Sequence, residues 1–241
     1  MLSAREGFEP PVAGIVFLAV PDSAIAETAA RIAALDPPRA VAFVHLSGAL
    51  DLDVLDPLRP RPVGSFHPLQ SFPFPRPPAA FRGITVAVDA STPALKRRLG
   101  ALARRLGASP KSVSNRVVYH AAAVFASNFV DAVIAEAVRM LEGIGWSETE
   151  ATRALLPLVD GAVENIRRRG VVGALTGPIR RGDAGTVRRH LEAVDNPDLY
   201  RMLASIALEI AREAGLEPAA AERVKRALTR KVAATRRSRR R

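Results

Sequence analysis

"GIVFLAVPDSAIAETAARIA", residues 14–33, reads as one complete strand, a short turn and one complete helix. The run Ile15–Val20 is continuously apolar rather than alternating, the pattern of a parallel strand covered on both faces and set inside a sheet. Pro21 ends the strand because proline cannot extend the ladder. Asp22 or Ser23 is placed to cap a helix whose apolar Ile25, Ala29, Ile32 and Ala33 recur at helical spacing.

Working outward, a second strand is expected at residues 40–48, "AVAFVHLSG", and a third at 62–68, "PVGSFHP". The proline-rich "SFPFPRPPAAFRG", residues 71–83, is expected to be an irregular loop. "GITVAV" supplies a fourth strand, and residues 91–107 a basic amphipathic helix ending at Gly107. Strands alternating with helices argue for an α/β layer with a mainly parallel sheet. After Pro110 the pattern turns helical: one long helix over 111–143, then helices near 147–169, 184–194, 197–214 and 218–235, with no convincing strand. The expected fold is α/β followed by all-α. Its divisions are a partial α/β domain at 1–108, a helical domain at 109–221 and a basic tail at 222–241.

The 241 residues are 48% hydrophobic, ample for a core. No apolar run approaches the length that spans a bilayer, and the apolar stretch at 12–20 follows acidic residues rather than a basic leader, so a cytoplasmic protein without a membrane partner is expected. The absence of cysteine excludes disulfides, thiolate metal sites and a cysteine nucleophile. Of the net charge of +11, residues 222–241 hold +9 (ten Lys or Arg against Glu222), which leaves about +2 for the body. That distribution reads as a solvated basic end, with nonspecific nucleic-acid contact through the tail as the lesser reading.

Three places could carry chemistry. In "VVYHAAAVFASNFV", residues 117–130, helical order puts Arg116, His120, Ser127 and Asp131 on one stripe with Asn128 at its edge. Val118, Ala122, Phe125, Phe129 and Val133 fall opposite. No charge occurs between Val117 and Val130, so the helix reads either as packed on most sides and lining a cleft, or as holding satisfied interior polar groups. His67, just after the third strand, stands where open α/β sheets collect ligands and can exchange a proton near neutral pH; the plainer reading is a turn histidine. His45 reads as a support for its strand end, while Ser47 and Gly48 let backbone approach a ligand closely. In "ENIRRRGVVGALTGPIRRGDAGTV", residues 164–187, Asp183 reads as a helix cap, and Arg180 and Arg181 either hold a substrate carboxylate or phosphate or are simply solvated. There is no G-x-S-x-G elbow, P-loop or H-x-x-x-H pair.

The segments "VFLAVPDSAIAE", "HLSGA", "GSFHPLQSF", "YHAAAVFASNF", "LLPL" and "ALTGPIRRGD" followed by "TVRRHL" span residues 14 to about 212 in order. Together they resemble a family of two-domain Rossmann-like oxidoreductases whose N-terminal part binds NADP and whose helical C-terminal part is catalogued as a domain of unknown function. The family is similar in plan to pyrroline-5-carboxylate reductase and prephenate dehydrogenase, which move a hydride between a nicotinamide and a small imino, keto or hydroxy acid. The resemblance implies NADP as cofactor, with Val20, Pro21, Ser47 and Gly48 beside it. It also implies His67, His120 and Asn128 as catalytic groups, Ser127, Asn165, Thr176, Gly177 and Arg181 on the substrate, an interdomain cleft and a homodimer.

The family's opening strand, glycine-rich turn and second strand have no counterpart here, since "MLSAREGFEP" resembles none of it. The chain enters at what should be the fourth strand of a 3-2-1-4-5-6 sheet, so the sheet is expected to be incomplete, with an unpaired edge at residues 15–20 and no glycine turn for a pyrophosphate. Either the protein starts upstream of Met1, the expectation preferred here, or the chain has lost the family's chemistry. The competing reading is a noncatalytic dimeric module that binds a small molecule or a partner.

Overall fold

The computed structural model describes residues 9–230. It divides into two compact units, Met1–Val130 and Asp131–Arg241. The first contains strands β1 (Gly14–Leu18), β2 (Val41–His45), β3 (Val63–Pro68), β4 (Thr85–Ala90) and β5 (Ser109–Lys111), with helices α1 (Asp22–Ala33), α2 (Pro93–Arg105) and α3 (Arg116–Ala126). The sheet runs β1-β2-β3-β4-β5; every neighbouring pair is parallel except β3 and β4, which are antiparallel. It is therefore a mixed sheet, and β5 is a short strand that the sequence reading did not anticipate, its three residues being too few to show a period.

β2 is the strand whose five residues are all buried. Its alternation sets the two layers: Val41 and Phe43 pack with Ile25, Ala29 and Ile32 of α1, while Ala42 and Val44 pack with Leu95, Leu99 and Ala103 of α2. β1 departs from the expectation of full cover. Among the described residues it pairs only with β2, and Phe17 is 38% exposed, meeting Phe66 edge-to-face at 5.9 Å. The continuous apolar run thus marks a sheet strand without full cover, and its single neighbour among the described residues agrees with the unpaired edge expected at residues 15–20. The proline-rich segment is irregular except for a 3-10 turn at Pro78–Phe81.

The helix start also differs. α1 begins at Asp22 behind Pro21 with no side-chain cap, and the Asp22 carboxylate instead accepts a 2.6 Å hydrogen bond from the Ser47 hydroxyl. The carboxylate reaches across to the β2 loop, which a local capping rule cannot foresee.

The expected single helix over 111–143 is two: α3 and α4 (Asn128–Glu142), broken at Ser127 (φ −130, ψ −81), whose hydroxyl donates to the Ala123 carbonyl at 2.7 Å. α3 is not packed on most sides: Val117, Val118 and Phe125 are exposed, whereas Arg116 is buried and bonded within the fold, as the reading of satisfied interior polar groups has it. Asp131 is exposed as well. Contrary to the expectation of no spanning-length stretch, Arg116–Glu142 is long and apolar enough by length and composition to cross a bilayer. Its mean hydropathy is 1.6 over the best window, of which 6% is buried. The charged residues from Asp131 onward hide this from a search for an uninterrupted apolar run.

The second unit continues with α5 (Glu148–Ala174), α6 (Gly177–Arg180), α7 (Ala184–Ala193), α8 (Pro197–Glu213) and α9 (Pro218–Thr229). A capping box on Ser147 and Glu150 starts α5, which leaves helical geometry at Gly170 (φ 69). The core is made by α7, α8 and α9: Val187, Leu191, Ala204, Leu208, Val224 and Leu228. Residues 222–229, assigned above to the basic tail, belong to that packed helix, whose buried Val224, Ala227 and Leu228 face inward while the basic residues between them face out. "RRSRRR" and residues 1–8 lie outside the described residues.

Candidate functional site

The carboxyl ends of β2 and β3, the loop after β2 and the inward face of α3 bring together a polar cluster wholly within the first unit. β2 ends at His45, and the following Ser47 hydroxyl donates to Asp22 while accepting from the amides of Ala49 and Leu50, both at 3.1 Å. That arrangement fixes the turn through Gly48. A Cβ built at Gly48 would lie 2.7 Å from His67 Nε2 and 2.9 Å from His120 Cδ2, so only glycine lets the backbone pass the two rings.

His67, in β3, is hydrogen-bonded through Nδ1 to the Tyr119 hydroxyl at 2.9 Å, and its ring lies edge-on to those of Tyr119 and His120 at 5.5 and 6.3 Å. Tyr119 and His120 reach it because Asn115 caps α3, its side chain accepting from the Val118 amide, and so sets that helix's phase. Arg116, one helical turn before His120, is 3% exposed. Its guanidinium bonds to the Ser65 hydroxyl, donates to the Ser47 carbonyl at 3.4 Å and stands 3.8 Å from the Asp51 carboxylate. Beside it His45 is fully buried, and neither ring nitrogen has a partner among the described residues.

These surroundings set the protonation states. Burial, reinforced by Arg116, lowers His45 to about 4, so its ring is neutral at pH 7. Burial first, then His120 and Arg116, lowers His67. Burial raises the Tyr119 phenol, although Arg116 opposes it. The His67–Tyr119 pair is therefore a neutral imidazole bonded to a protonated phenol, an arrangement in which one ring nitrogen can give up a proton while the other accepts one from the phenol.

Several of the expected residues fall elsewhere. Val20 packs against the α1 layer, and the Pro21 carbonyl accepts the Ala24 amide at 2.8 Å. Asn128 is exposed and accepts from Ser127 at 3.1 Å, with no bond to the histidines. In the second unit Thr176, Gly177 and Arg181 line a cleft of about 660 Å³ together with Arg169, Arg180 and Glu217, whereas Asn165 is exposed on α5 and is not among its lining. Asp183 caps α7 as expected, accepting from the Thr186 amide at 2.9 Å. Tyr119, Ser65, Asp22 and Arg169 were not singled out from sequence as site residues. The adjacency of Tyr119 to His120 was the one signal for it, and Arg169 stood out only as the third arginine of a run.

No curated protein matches the chain. Among solved structures, a Thermotoga maritima protein is 26% identical with a TM-score of 0.68, over 86% of this chain and 81% of its own. A candidate NADP oxidoreductase of Bacteroides fragilis is 25% identical with a TM-score of 0.67, over 87% and 77%. A Plasmodium falciparum pyrroline carboxylate reductase with NADP bound is 12% identical with a TM-score of 0.53, over 89% and 77%, a likeness of fold alone. The family model described as "domain of unknown function (DUF2520)" matches residues 84–210, more than half of the chain. This chain thus belongs to the DUF2520 family, on the Rossmann-like fold with a C-terminal helical domain that NADP-dependent oxidoreductases also adopt.

Proposed function

We propose that the chain serves an NADP-dependent oxidoreductase of small imino, keto or hydroxy acids, with His67 and Tyr119 handling the proton. The carrying observation is the 2.9 Å His67–Tyr119 bond set against Gly48 and His120 at the carboxyl end of the sheet. NADP, when bound, supplies or takes the hydride. The residues present suit the group in part. Gly48 and Ser47 offer backbone at the sheet end, but the described residues hold no glycine-rich turn for a pyrophosphate, and Asp22 puts a carboxylate in the first turn of α1, where a phosphate would be repelled. On this reading Nε2 of His67 releases its proton to the reduced substrate as Nδ1 takes the proton of Tyr119, and the resulting phenolate, which is only half-buried, regains a proton from solvent. Arg116 holds Ser47 and Ser65 in place, and His120 borders the substrate.

The same proposal includes a homodimer in the cytoplasm. Val117, Val118 and Phe125 along α3 and Phe129 at the start of α4 are exposed apolar side chains within the first unit, and Phe125 and Phe129 stack edge-to-face at 4.8 Å, which suits an interaction surface. A second copy suits that surface better than lipid does, because Arg116, Tyr119 and His120 of α3 are engaged with the sheet end. The test is NADPH titration followed by NADPH oxidation with imine and keto-acid panels and NADP reduction with a hydroxy-acid panel. His67→Asn is expected to abolish turnover while leaving NADPH affinity within about threefold, and an absence of NADPH binding would overturn the enzyme reading. A dimer without NADPH binding would instead favour the noncatalytic module, for which the exposed apolar face is the supporting observation. Phe125→Glu is expected to give monomers in light scattering.

A further inference from the structure

The cleft of the second unit has a charge pattern that its own residues leave unanswered. On α5, "RRR" at 167–169 follows Glu164, and that carboxylate takes both Arg167 and Arg168, the latter at 2.6 Å. Arg169 meets no carboxylate within 4 Å among the described residues and lines the cleft instead, at the point where Gly170 bends the chain out of helical geometry. Arg180 and Arg181 line the same cleft, also without a carboxylate among the described residues. Arg180 donates to the Ala214 carbonyl at 3.0 Å and so finishes α8, while Arg181 is exposed.

One acid, Glu217, shares the cleft. Its two oxygens accept the amides of Ala219 and Ala220 at 2.9 and 2.8 Å, and these bonds hold it below the usual carboxylate range, so it stays ionised and committed to the start of α9. The lining therefore carries three guanidinia against one engaged carboxylate. Thr176 precedes α6 without its side chain capping it, and a Cβ at Gly177 (φ +88) would meet nothing within 4 Å, which leaves a hydroxyl and open backbone beside the arginines. The cleft, about 660 Å³, is open to solvent, so a small anion can enter it without displacing side chains. Like charges gathered around open space are stable when an anion joins them, and guanidinium forks match carboxylate and phosphate oxygens.

The geometry points to a binding site for a small, multiply charged oxyanion in the helical unit, held by Arg169 and Arg181 with Thr176 beside them. Thr176, Gly177 and Arg181 are residues that the family resemblance implies on the substrate, so the site deepens the proposed function, while anion binding itself needs no nicotinamide and is tested apart from hydride transfer. A phosphate ester and a dicarboxylate share this chemistry, and the experiment separates them. Glycerol 3-phosphate and succinate are titrated into the full chain by calorimetry at about 0.15 M ionic strength, a level that screens the exposed basic residues. Saturable binding of either is expected, the tighter ligand naming the class, with at least a tenfold loss in Arg169→Gln/Arg181→Gln. Arg167→Gln, whose partner is Glu164, is expected to bind as the parent does.

Thermal melting of the double variant checks that it folds, and the two single variants, each expected to lose at least threefold, cover the case in which it does not. No saturable binding of either ligand would overturn the proposal. So would binding that survives both substitutions, which would place the anion on the basic end of the chain, or an equal loss in Arg167→Gln.

Discussion

The sheet end of the first unit and the cleft of the second both gather arginine, glycine and hydroxyl groups, yet they resolve their charge in opposite ways. At the sheet end most groups satisfy one another: Asp22 with Ser47, Arg116 with Ser65 and the Ser47 carbonyl, His67 with Tyr119, while His45 stays neutral and unpaired among the described residues. In the cleft the arginines meet no carboxylate among the described residues, and Glu217 is occupied by backbone. The difference teaches that a buried cation must be answered within the fold, whereas an exposed one can be answered by a ligand.

The comparison breaks most severely at Arg116. Arg116→Ala is expected to lower stability by about 4 kcal/mol, because a cavity opens and buried partners at Ser65 and Ser47 lose their donor. Denaturant unfolding checks this, and a loss below about 1 kcal/mol would mean that desolvating the guanidinium offsets its bonds. Arg181→Ala should leave the melting curve within error of the parent.

Next in size is a pH effect at His45. The folded state keeps the ring neutral down to about 4, while an unfolded histidine takes its proton near 6.5. Between these values the unfolded chain binds the extra proton. His45's contribution is therefore complete above pH 6.5 and is lost as pH falls toward 4, by about 3 kcal/mol in all. His45→Leu should flatten that part of the stability profile, and a profile unchanged by the substitution would assign the slope to other groups. The smallest effect sharpens the contrast: Tyr119→Phe removes one hydrogen bond to His67 and should cost about 1 kcal/mol. Nitrogen NMR of His67 should report the altered Nδ1.

Much of the first unit was legible along the chain. The apolar runs at 14–18, 41–45, 63–68 and 85–90 are strands, and the 3.6-residue period over Ile25, Ala29 and Ile32 marks the buried side of α1. His67, His120 and Gly48 were singled out from type and position, and the structure does bring them together. Asn128, from the edge of the helical stripe, and Asn165, from the family resemblance, were named as well, and each is exposed. In α3 the period separated polar from apolar residues, but an amphipathic pattern names two faces without saying which one is inward when the inward face is a polar site. The break at Ser127, the kink at Gly170 and the release of Asp22 from capping to Ser47 all depend on bonds or backbone states that local propensity does not encode.

The sequence by itself determined the class, α/β followed by helices, and the family, because these rest on local period and on motifs contiguous in the chain, although it missed β5 and the break at Ser127. Only the tertiary structure decided that β4 runs antiparallel, that Arg116 is buried while Phe125 is bare, and that Arg169, rather than Arg167 or Arg168, enters the cleft. Each of these depends on what lies across from a residue, and burial and charge pairing are fixed by neighbours that are distant along the chain.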